Sequence, residues 1–332
     1  MPVRGWKSSS SFGPAGLTDK ESQFRQPAGD RAVPPVSPET SVCAIIVSYN
    51  PPAALYRNVL SLAGQVRSVL IIDNNSSPEF RGVLYRVQDL PYTEVVWSEA
   101  NAGVGAALNR GVRRALELGL PWVLTLDQDS HAGEGFVASL LQAYTEHPDR
   151  ETIGLVAPRY REETSGFFHD ELPEDAAENA IIESSMMSGN LVRTEVAAQV
   201  GFYDEELFID YVDHEFCLRL GRHGFRVLES RGSILEHNLG RMSRKTLAGV
   251  TLATTNHGPL RRYYNARNRI LVYRTYGRWV PGWMARDIRG FAVDMVKILL
   301  LEQDRGAKFL SIARGIWHGI TGKRGRAREQ AR

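Results

Sequence analysis

The sequence is poor in cysteine and has no long apolar run. Cys43 and Cys217 are the only cysteines in 332 residues, each lies in an apolar stretch, and two thiols cannot build a disulfide framework. We therefore expect two buried free thiols in a cytoplasmic protein. The longest late apolar stretch, residues 291–301, is interrupted by Asp294 and Lys297 and is too short to cross a bilayer.

The start of the chain also contains almost no apolar segment. Because residues 1–40 are rich in Ser, Pro and Gly, we expect a disordered leader and no signal peptide. The net charge of +2 conceals an asymmetry, since residues 1–240 carry 20 Lys and Arg against 33 Asp and Glu, and residues 241–332 carry 20 against 5. The basic part suggests a polyanionic partner, such as anionic lipid, a pyrophosphate-bearing substrate or nucleic acid, unless it is a solvated face.

From residue 41 the sequence alternates between strand-like and helical patterns. Four apolar runs are typical of buried strands: residues 42–48, 68–73, 95–97 and 122–126. Helical patterns occur at residues 53–64, 105–118 and 136–146, and a further strand pattern occurs at 152–157. The alternation predicts an α/β domain with a mostly parallel sheet over residues 41–240, followed by a helical, basic region over residues 241–332.

Polar side chains follow each of the four predicted strands, at the edge of the sheet where ligands of such domains bind. They are Tyr49 and Asn50, then Asp73, then Asn101, and finally Asp127 and Asp129. The carboxylates of Asp127 and Asp129, separated by one residue, can approach one Mg²⁺ or Mn²⁺ ion, which would neutralise a diphosphate leaving group. An Asp-x-Asp triplet also arises by chance or caps a helix. The interpretation as a metal site therefore depends on the position of the triplet directly after a buried strand.

These segments resemble the family 2 glycosyltransferases and, within them, the bacterial rhamnosyltransferases. The matching segments keep the family order: residues 47–50, 72–76, 101–103, 109–111, 126–130, 187–190 and 208–219. The resemblance implies a GT-A fold, Rossmann-like with a mostly parallel sheet, and an inverting, metal-dependent enzyme. It favours L-rhamnose from dTDP-L-rhamnose as the donor, with a UDP-sugar as the alternative, and a lipid-linked or polysaccharide acceptor in cell-surface glycan synthesis such as that of O-antigen.

The resemblance also implies the residues of the donor nucleotide site: Tyr49, Asn50, Asp73, Asn101, Gly103 and Asp127. Asp73 would hydrogen-bond the nucleobase or the ribose, unless it only caps its turn. At Gly103 the missing side chain would let the backbone approach the nucleotide. The metal ligands implied by the resemblance are Asp129, Asp127 and His237. His237 matches a family histidine that contacts either the metal or the diphosphate, unless it is a structural histidine.

Asp213 matches the family's catalytic base, a carboxylate that takes the proton of the acceptor hydroxyl. Many relatives carry a further acid directly before this base, and this chain lacks it. Asp210 is therefore the alternative base, and Glu215 would orient neighbouring groups. Ser188 and Gly189 match the loop beneath the donor sugar and the acceptor.

The C-terminal region carries Arg267 and many aromatic and basic residues. Arg267 would bind phosphate oxygens, by resemblance, or lie on a helix surface. Five aromatic residues among many Lys and Arg suit an interfacial amphipathic segment: Trp279, Trp283, Phe291, Phe309 and Trp317. This segment would hold the enzyme on the inner face of the cytoplasmic membrane, near a polyprenyl-diphosphate-linked acceptor, although a homo-oligomer interface would have the same composition.

Three other functions fit the residues less well. A nucleotidyltransferase usually has a Gly-rich phosphate loop after its first strand, whereas residues 48–52 are Ser-Tyr-Asn-Pro-Pro. A nucleic-acid-binding module would explain the basic region but not the polar strand ends, so we expect no nucleic acid partner. A non-catalytic relative that only binds sugar nucleotides would be expected to lose Asp129 or Asp213, and both are present.

Overall fold

The computed structural model describes residues 41–161, 177–237, 243–247, 250–254 and 256–327. The predicted disordered leader, residues 1–40, lies outside the described residues. The boundary predicted near residue 240 also falls outside them, so the division into a catalytic domain and a basic region stays a prediction.

Nine of the described strands form one mixed sheet, and two form a separate hairpin. The strands are β1 (Val42–Ser48), β2 (Ser68–Asp73), β3 (Thr93–Trp97), β4 (Trp122–Asp127), β5 (Ser130–Ala132), β6 (Ile153–Arg161), β7 (Asn179–Ile182), β8 (Asn190–Arg193), β9 (Arg226–His237), β10 (Ser243–Leu247) and β11 (Val250–Thr254). The order across the sheet is β3-β2-β1-β4-β8-β6-β9-β5, with β7 paired to β9, and β10 pairs with β11.

The first half of the sheet is parallel, because β3, β2, β1 and β4 run in the same direction. In the second half β8 runs antiparallel to both β4 and β6, whereas β6 and β9 are parallel. The parallel half brings the carboxyl ends of β1, β2 and β4 to one edge, which is the edge where polar strand ends were expected to converge.

Helices cover the sheet and form the C-terminal part of the described chain. They are α1 (Leu55–Leu60), α2 (Arg81–Gln88), α3 (Val104–Glu117), α4 (Phe136–Glu146), α5 (Thr194–Gln199), α6 (Val212–Arg222), α7 (Pro259–Tyr276), α8 (Pro281–Leu301) and α9 (Arg305–Ile320). α3 packs on β1 and β2, α4 packs on β6 and β9, and α7 packs along α9. None of these described helices combines the length and the apolar character needed to span a membrane.

Several element limits follow from burial and turn chemistry. All 7 residues of β1 are buried, as expected for a strand covered on both faces, and its limits agree with the predicted residues 42–48. The limits of α4 also agree with the prediction. α1 is shorter than the predicted residues 53–64, because the chain turns from Ser61 onward and Gly64 takes a φ of 71°.

Both cysteines are free and buried, as predicted. Cys43 in β1 and Cys217 in α6 belong to the same apolar core cluster. Burial raises the pKa of the Cys43 thiol to about 11 and that of the Cys217 thiol to about 12. Both thiols are therefore neutral and unreactive at physiological pH.

The aromatic residues predicted to form an interfacial surface do not share one environment. Trp283 is only 7% exposed, and Phe291 and Phe309 pack against a small core cluster between the C-terminal helices. Trp279 and Trp317 are the exposed members, at 50% and 63%. These five rings therefore do not form one exposed surface. Phe291 and Phe309 serve packing between α7, α8 and α9, and Trp283 packs against α6 and α7.

We expect Gly111→Ala to destabilise the protein by about 1–3 kcal/mol, the usual cost of overpacking a core. Gly111 lies in α3, and a Cβ atom there would stand 2.7 Å from the side chain of Ile45 in β1. Urea unfolding measures the free energy. The matched control is Gly82→Ala in α2, where a Cβ meets nothing within 4 Å, so it should be neutral or slightly stabilising. Equal effects of the two changes would contradict the tight α3–β1 contact.

Candidate active site

A cavity of about 510 Å³ opens at the carboxyl-terminal edge of β1 and β4, a volume typical of small-ligand sites. The predicted site residues that line it are Tyr49, Asn101, Gly103, Asp127, Asp129, Asp210 and Asp213. It is also lined by residues that the sequence analysis did not select, among them Asn74, Gln128, Met186, Met187, Phe208, His257 and Arg261. Polar residues from several strand ends and from the start of α6 therefore meet at one cavity.

The loop between β7 and β8 connects two acidic parts of the cavity wall. The Ser188 hydroxyl accepts a hydrogen bond from the backbone N–H of Asp127 at 3.0 Å. The N–H of Met187 donates to Oδ2 of Asp213 at 3.1 Å. The loop is fixed to β4, because the Thr125 hydroxyl donates to the carbonyl of Met187 at 2.6 Å. One short segment therefore sets the positions of both Asp127 and Asp213.

Ser188 and Gly189 themselves lie behind the cavity wall. Ser188 is 1% exposed, and its hydroxyl shares a hydrogen bond of 2.7 Å with the hydroxyl of Ser130. Gly189 has a φ of 85°, and a Cβ there would stand 2.7 Å from Pro158 and 2.9 Å from Leu235. The structure gives these two residues a supporting place, whereas Met186 and Met187 of the same loop line the cavity. The position of this loop beneath the donor sugar and the acceptor stays a prediction.

Asp213 lies in the first turn of α6, where the positive end of the helix dipole favours an anion. Its Oδ1 accepts from the N–H of His214 at 2.9 Å, and its Oδ2 accepts from Met187 as described above. A carboxylate has about four lone-pair directions, so two N–H donors leave capacity toward the cavity. Asp213 is thus an oriented carboxylate that can accept a proton from a ligand hydroxyl.

Asp127 and Asp129 line the cavity together at the end of β4. Desolvation, and after it the neighbouring charge of Asp129, raise the pKa of Asp127 to about 7, against a smaller lowering effect of Arg261. Two carboxylates that repel each other suit a divalent cation, which would relieve the repulsion. Mg²⁺ and related ions commonly take one or two protein carboxylates and complete their shell with water and substrate phosphates.

A metal site built from protein side chains alone is not present in the described part of the chain, where no three His, Cys, Asp or Glu side chains converge suitably. The side chain of His237, the third implied ligand, lies outside what is described. Its backbone pairs with that of Ser130 where β5 and β9 meet. The two described carboxylates, Asp127 and Asp129, suit an ion that would take its other ligands from a bound diphosphate and water.

Gln128, between the two aspartates, ties the end of β4 to the end of β1. Its amide oxygen accepts from the backbone N–H of Tyr49 at 2.9 Å, and its amide nitrogen donates to the carbonyl of Tyr49 at 3.3 Å. The Tyr49 side chain is 49% exposed at the cavity. Its ring is therefore free to stack on a planar ligand group.

Asp73 and Asn50 fasten turns beside the cavity and do not line it. Asp73 is 1% exposed, and its carboxylate accepts from the N–H of Ser76 at 3.1 Å and from its hydroxyl at 2.5 Å. The amide oxygen of Asn50 accepts from the N–H of Ser77 at 2.9 Å. The structure therefore favours the turn-capping interpretation of Asp73, since its carboxylate is directed into its own turn.

The turn at residues 101–103 is held by Asn74, whose side chain follows β2. Its amide oxygen accepts from the N–H of Ala102 at 3.0 Å, and its amide nitrogen donates to the carbonyl of Gly103 at 3.2 Å. Gly103 has a φ of 94°, and a Cβ there would stand 2.5 Å from the carbonyl oxygen of Phe208. The missing side chain thus allows a close approach of the protein's own backbone, although Gly103 also lines the cavity.

The segment before α6 has an unusual backbone. Phe208, Asp210 and Tyr211 have positive φ angles of 68°, 61° and 65°, a region that non-glycine residues rarely adopt. The buried side-chain amide of Asn268 in α7 stabilises it. This amide donates at 2.8 Å to three carbonyl oxygens, those of Leu207, Ile209 and Asp210.

Arg267, next to Asn268, serves the same segment. It is fully buried, and its guanidinium donates to the carbonyl of Leu207 at 3.0 Å and to that of Gly325 at 2.5 Å. The structure contradicts both interpretations of Arg267, the phosphate contact and the helix-surface position. Backbone carbonyls use its donors, so Arg267 is a supporting residue beneath the cavity wall.

Arg261 is the basic residue that sequence reasoning missed. It lies in the first turn of α7 and lines the cavity, where its Nε pairs with Oδ1 of Asp210 at 3.1 Å. Burial raises the pKa of Asp210, and Arg261 opposes this shift. Arg261 and Arg267 are about 120° apart around the same helix, so only one of them can face the cavity. The sequence pattern of α7 gives no sign of which one it is.

Glu215 is turned away from the cavity into the packing of α6. Its carboxylate pairs with Arg219 at 2.8 Å and accepts from the Tyr276 hydroxyl at 2.7 Å. Glu215 therefore orients Arg219 and Tyr276, two side chains in the contact between α6 and α7. His257, which precedes α7, does line the cavity, and burial lowers its pKa to about 3.

Comparisons with known proteins agree with this geometry. Residues 43–193 match the family described as Glycosyl transferase family 2. The chain is 29% identical to dTDP-rhamnosyl transferase RfbF of Shigella flexneri, over 71% of this chain and 80% of that protein. It is 28% identical to an N-acetylglucosaminyl-diphospho-decaprenol L-rhamnosyltransferase of Mycobacterium tuberculosis, over 58% of this chain and 75% of that protein.

The fold has a counterpart among solved structures. The crystal structure of GalNAc-T7 with UDP, GalNAc and Mn²⁺ matches with a TM-score of 0.55 at 15% identity. The match covers 74% of this chain and about half, 49%, of the other. The expected resemblance and the expected GT-A fold are confirmed.

We expect the stability of the cation-free protein to fall as the pH rises from 3.8 to about 7, with Asp127 as one cause. The folded-state pKa of about 7 exceeds the ordinary value of 3.8, so the folded state binds this proton more tightly. The resulting stabilisation is present below the ordinary pKa and is lost as the pH rises through the folded pKa. Asp127→Asn removes the titration, so its melting temperature should fall less over the same range.

Thermal unfolding in EDTA at a series of pH values measures this difference. The control is Glu134→Gln, which removes an exposed carboxylate from the loop before α4 and should keep the wild-type slope. A wild-type slope in Asp127→Asn would contradict the raised pKa.

Proposed function

We propose that this chain transfers L-rhamnose from dTDP-L-rhamnose to an acceptor hydroxyl with inversion, because residues 43–193 match glycosyl transferase family 2. The observation that carries the proposal is one loop that positions both Asp127 and Asp213 at one cavity. Two relatives named as rhamnosyltransferases support the choice of sugar. A UDP-sugar is the alternative donor.

The donor diphosphate would lie at Asp127 and Asp129, the residues that would hold Mg²⁺ or Mn²⁺, with His237 as a further ligand by resemblance. The ion would neutralise charge on the leaving diphosphate. Arg261 lines the same cavity and can donate to phosphate oxygens from its partly exposed side chain. Tyr49, with its exposed ring, is a candidate for contact with the nucleobase.

Asp213 would act on the acceptor. Its carboxylate would accept the proton of the acceptor hydroxyl as that oxygen bonds to the anomeric carbon, while the bond from this carbon to the diphosphate breaks on the opposite side. A single displacement inverts the anomeric centre without a covalent enzyme intermediate. Asp210 is the weaker candidate, because Arg261 already pairs with it, whereas Asp213 is held by backbone N–H groups.

The acceptor would be a lipid-linked or polysaccharide glycan of the cell surface. The name of the mycobacterial relative, which refers to a diphospho-decaprenol substrate, supports a lipid-linked acceptor. The enzyme would then work in the cytoplasm, as a peripheral protein at the inner face of the membrane.

We expect Asp213→Asn to lower kcat by about 10²–10⁴-fold, the usual contribution of a general base. The change keeps the size and polarity of the side chain, so the dissociation constant of the donor should stay within about twofold. The assay measures dTDP released from dTDP-L-rhamnose in the presence of glycan acceptors. Asp210→Asn is the matched comparison and should lose less activity. Loss of donor binding together with activity in Asp213→Asn would point to a structural role.

We expect the melting temperature to rise with dTDP or dTDP-L-rhamnose in the presence of Mn²⁺, because a ligand of the native state stabilises it by mass action. The shift should require the metal and should largely disappear in Asp129→Ala. Glu134→Ala, in the neighbouring loop, should keep it. Stabilisation by UDP-sugars alone would overturn the rhamnose donor but keep the reaction. A metal-independent shift that survives in Asp129→Ala would exclude the proposed metal ligands.

A further inference from the structure

The outer face of α8 is apolar although it faces solvent. Five aliphatic side chains on this helix are 47–54% exposed: Ile288, Val293, Val296, Leu299 and Leu300. At 3.6 residues per turn, these five positions fall within an arc of about 140° around the helix, so they lie on one side of it. The opposite side packs inward through Trp283, Ile298 and Leu301. An exposed apolar surface of this kind usually marks a contact with a membrane or a partner.

A basic groove lies beside this apolar face. Its volume is about 490 Å³, and its lining side chains carry more positive than negative charge: Arg269, Arg286, Arg289 and Lys297 against Asp287 and Asp294. Asp287 is already paired with Arg269 at 2.8 Å. Arg286 pairs with Glu183 at 2.7 Å, but both side chains are more than half exposed, which makes this pair weak.

Arg269 gives the groove a buried anion-binding group. It is only 6% exposed, and its Nε donates to Asp287 at 2.8 Å. Its Nη1 is buried and has no hydrogen-bond partner within the described chain. A buried guanidinium N–H without an acceptor is costly, and phosphate oxygens match the fork of donors that arginine presents. The groove therefore combines a buried guanidinium whose Nη1 lacks a hydrogen-bond acceptor with two further basic side chains, Arg289 and Lys297.

We infer that α8 docks on an anionic membrane surface, with a lipid phosphate in the groove and the aliphatic face at the acyl boundary. Helices with an apolar face bordered by Lys and Arg bind at the boundary between the lipid headgroups and the acyl chains. Charge decides against a second copy of the chain. In a two-fold dimer through this face, Arg289 and Lys297 of both copies would approach each other. Anionic lipid supplies the opposite charge.

The same helix supports the active site from its inner side. The indole N–H of Trp283 donates to the Ser184 hydroxyl at 2.9 Å, and this hydroxyl lies 3.1 Å from Nδ1 of His214. His214 directly follows Asp213. A helix that meets the membrane and also buttresses the catalytic carboxylate suits an acceptor carried by lipid. This connection between the docking surface and a lipid-carried acceptor rests on the proposed function.

Co-sedimentation with lipid vesicles tests the docking surface on the full chain. We expect the protein to bind vesicles that contain phosphatidylglycerol and phosphatidylcholine, and not vesicles of phosphatidylcholine alone. Binding should weaken as salt is added, because charge supplies part of the attraction. Val296→Glu combined with Leu299→Glu, and separately Arg289→Glu combined with Lys297→Glu, should each reduce binding by about tenfold or more.

Leu118→Glu is the matched control, because Leu118 is an equally exposed leucine, at 47%, at the end of α3. It should bind as the wild type does. Circular dichroism and the melting temperature of each variant show whether it is folded. Full vesicle binding by both folded double variants would overturn the inference.

Two other results would assign the surface differently and overturn the inference. If the protein ignores vesicles and light scattering shows a dimer that Val296→Glu with Leu299→Glu dissociates, the face binds a second copy. A second result is that glycerol phosphate binds in the groove while Val296→Glu with Leu299→Glu still sediments with vesicles. The aliphatic face would then not contact the membrane, and the groove would be a site for a free phosphate. None of these assays uses a sugar donor or an acceptor, so failure here leaves the proposed glycosyl transfer untouched.

Discussion

The structure depends on keeping several carboxylates at one cavity although they repel one another. The raised pKa of Asp127 reflects this constraint, because desolvation and the charges of Asp129 and Asp213 all act on it in the same direction. The fold meets the constraint with neutral backbone donors, which orient the carboxylates without cancelling their charge. A site built in this way sacrifices stability when empty and would regain it if the proposed cation and diphosphate entered.

The support for this arrangement comes from residues that never face the cavity. Thr125 and Ser188 hold the loop between β7 and β8, which is hydrogen-bonded both to β4 and to Asp213 in α6. Arg267 and Asn268, both fully buried, hold the carbonyl oxygens of the strained segment before α6. Such a segment persists only where its surroundings determine it, so these two residues support the site although they do not line it. Their polarity in a helix interior is explained by that task.

Sequence patterns predicted the main strands and helices and the acidic residues of the cavity. They failed where the same residue type lines the cavity at one position and supports the fold at another. The limits of β1 and α4 follow from an unbroken apolar run and from helical spacing, which are local properties. Asp127 was predictable because a buried strand ends there. Asp73 also ends a buried strand, yet its carboxylate closes a turn, and nothing local distinguishes the two cases. Arg261 reaches the cavity only through the tertiary placement of α7.

The basic C-terminal region shows the same division between composition and placement. Composition predicted an amphipathic surface, but the aromatic rings that suggested it are partly internal, and aliphatic residues of α8 form the exposed face. The inner side of α8 carries Asp287, whose pKa is held below its ordinary range by Arg269 and by two tyrosine hydroxyls in spite of desolvation. The inner side of α8 therefore carries a charged, hydrogen-bonded residue, and its outer side is aliphatic and exposed. A helix needed only for packing would bury its aliphatic residues, and docking on a membrane, as inferred above, would explain why this side of α8 is exposed.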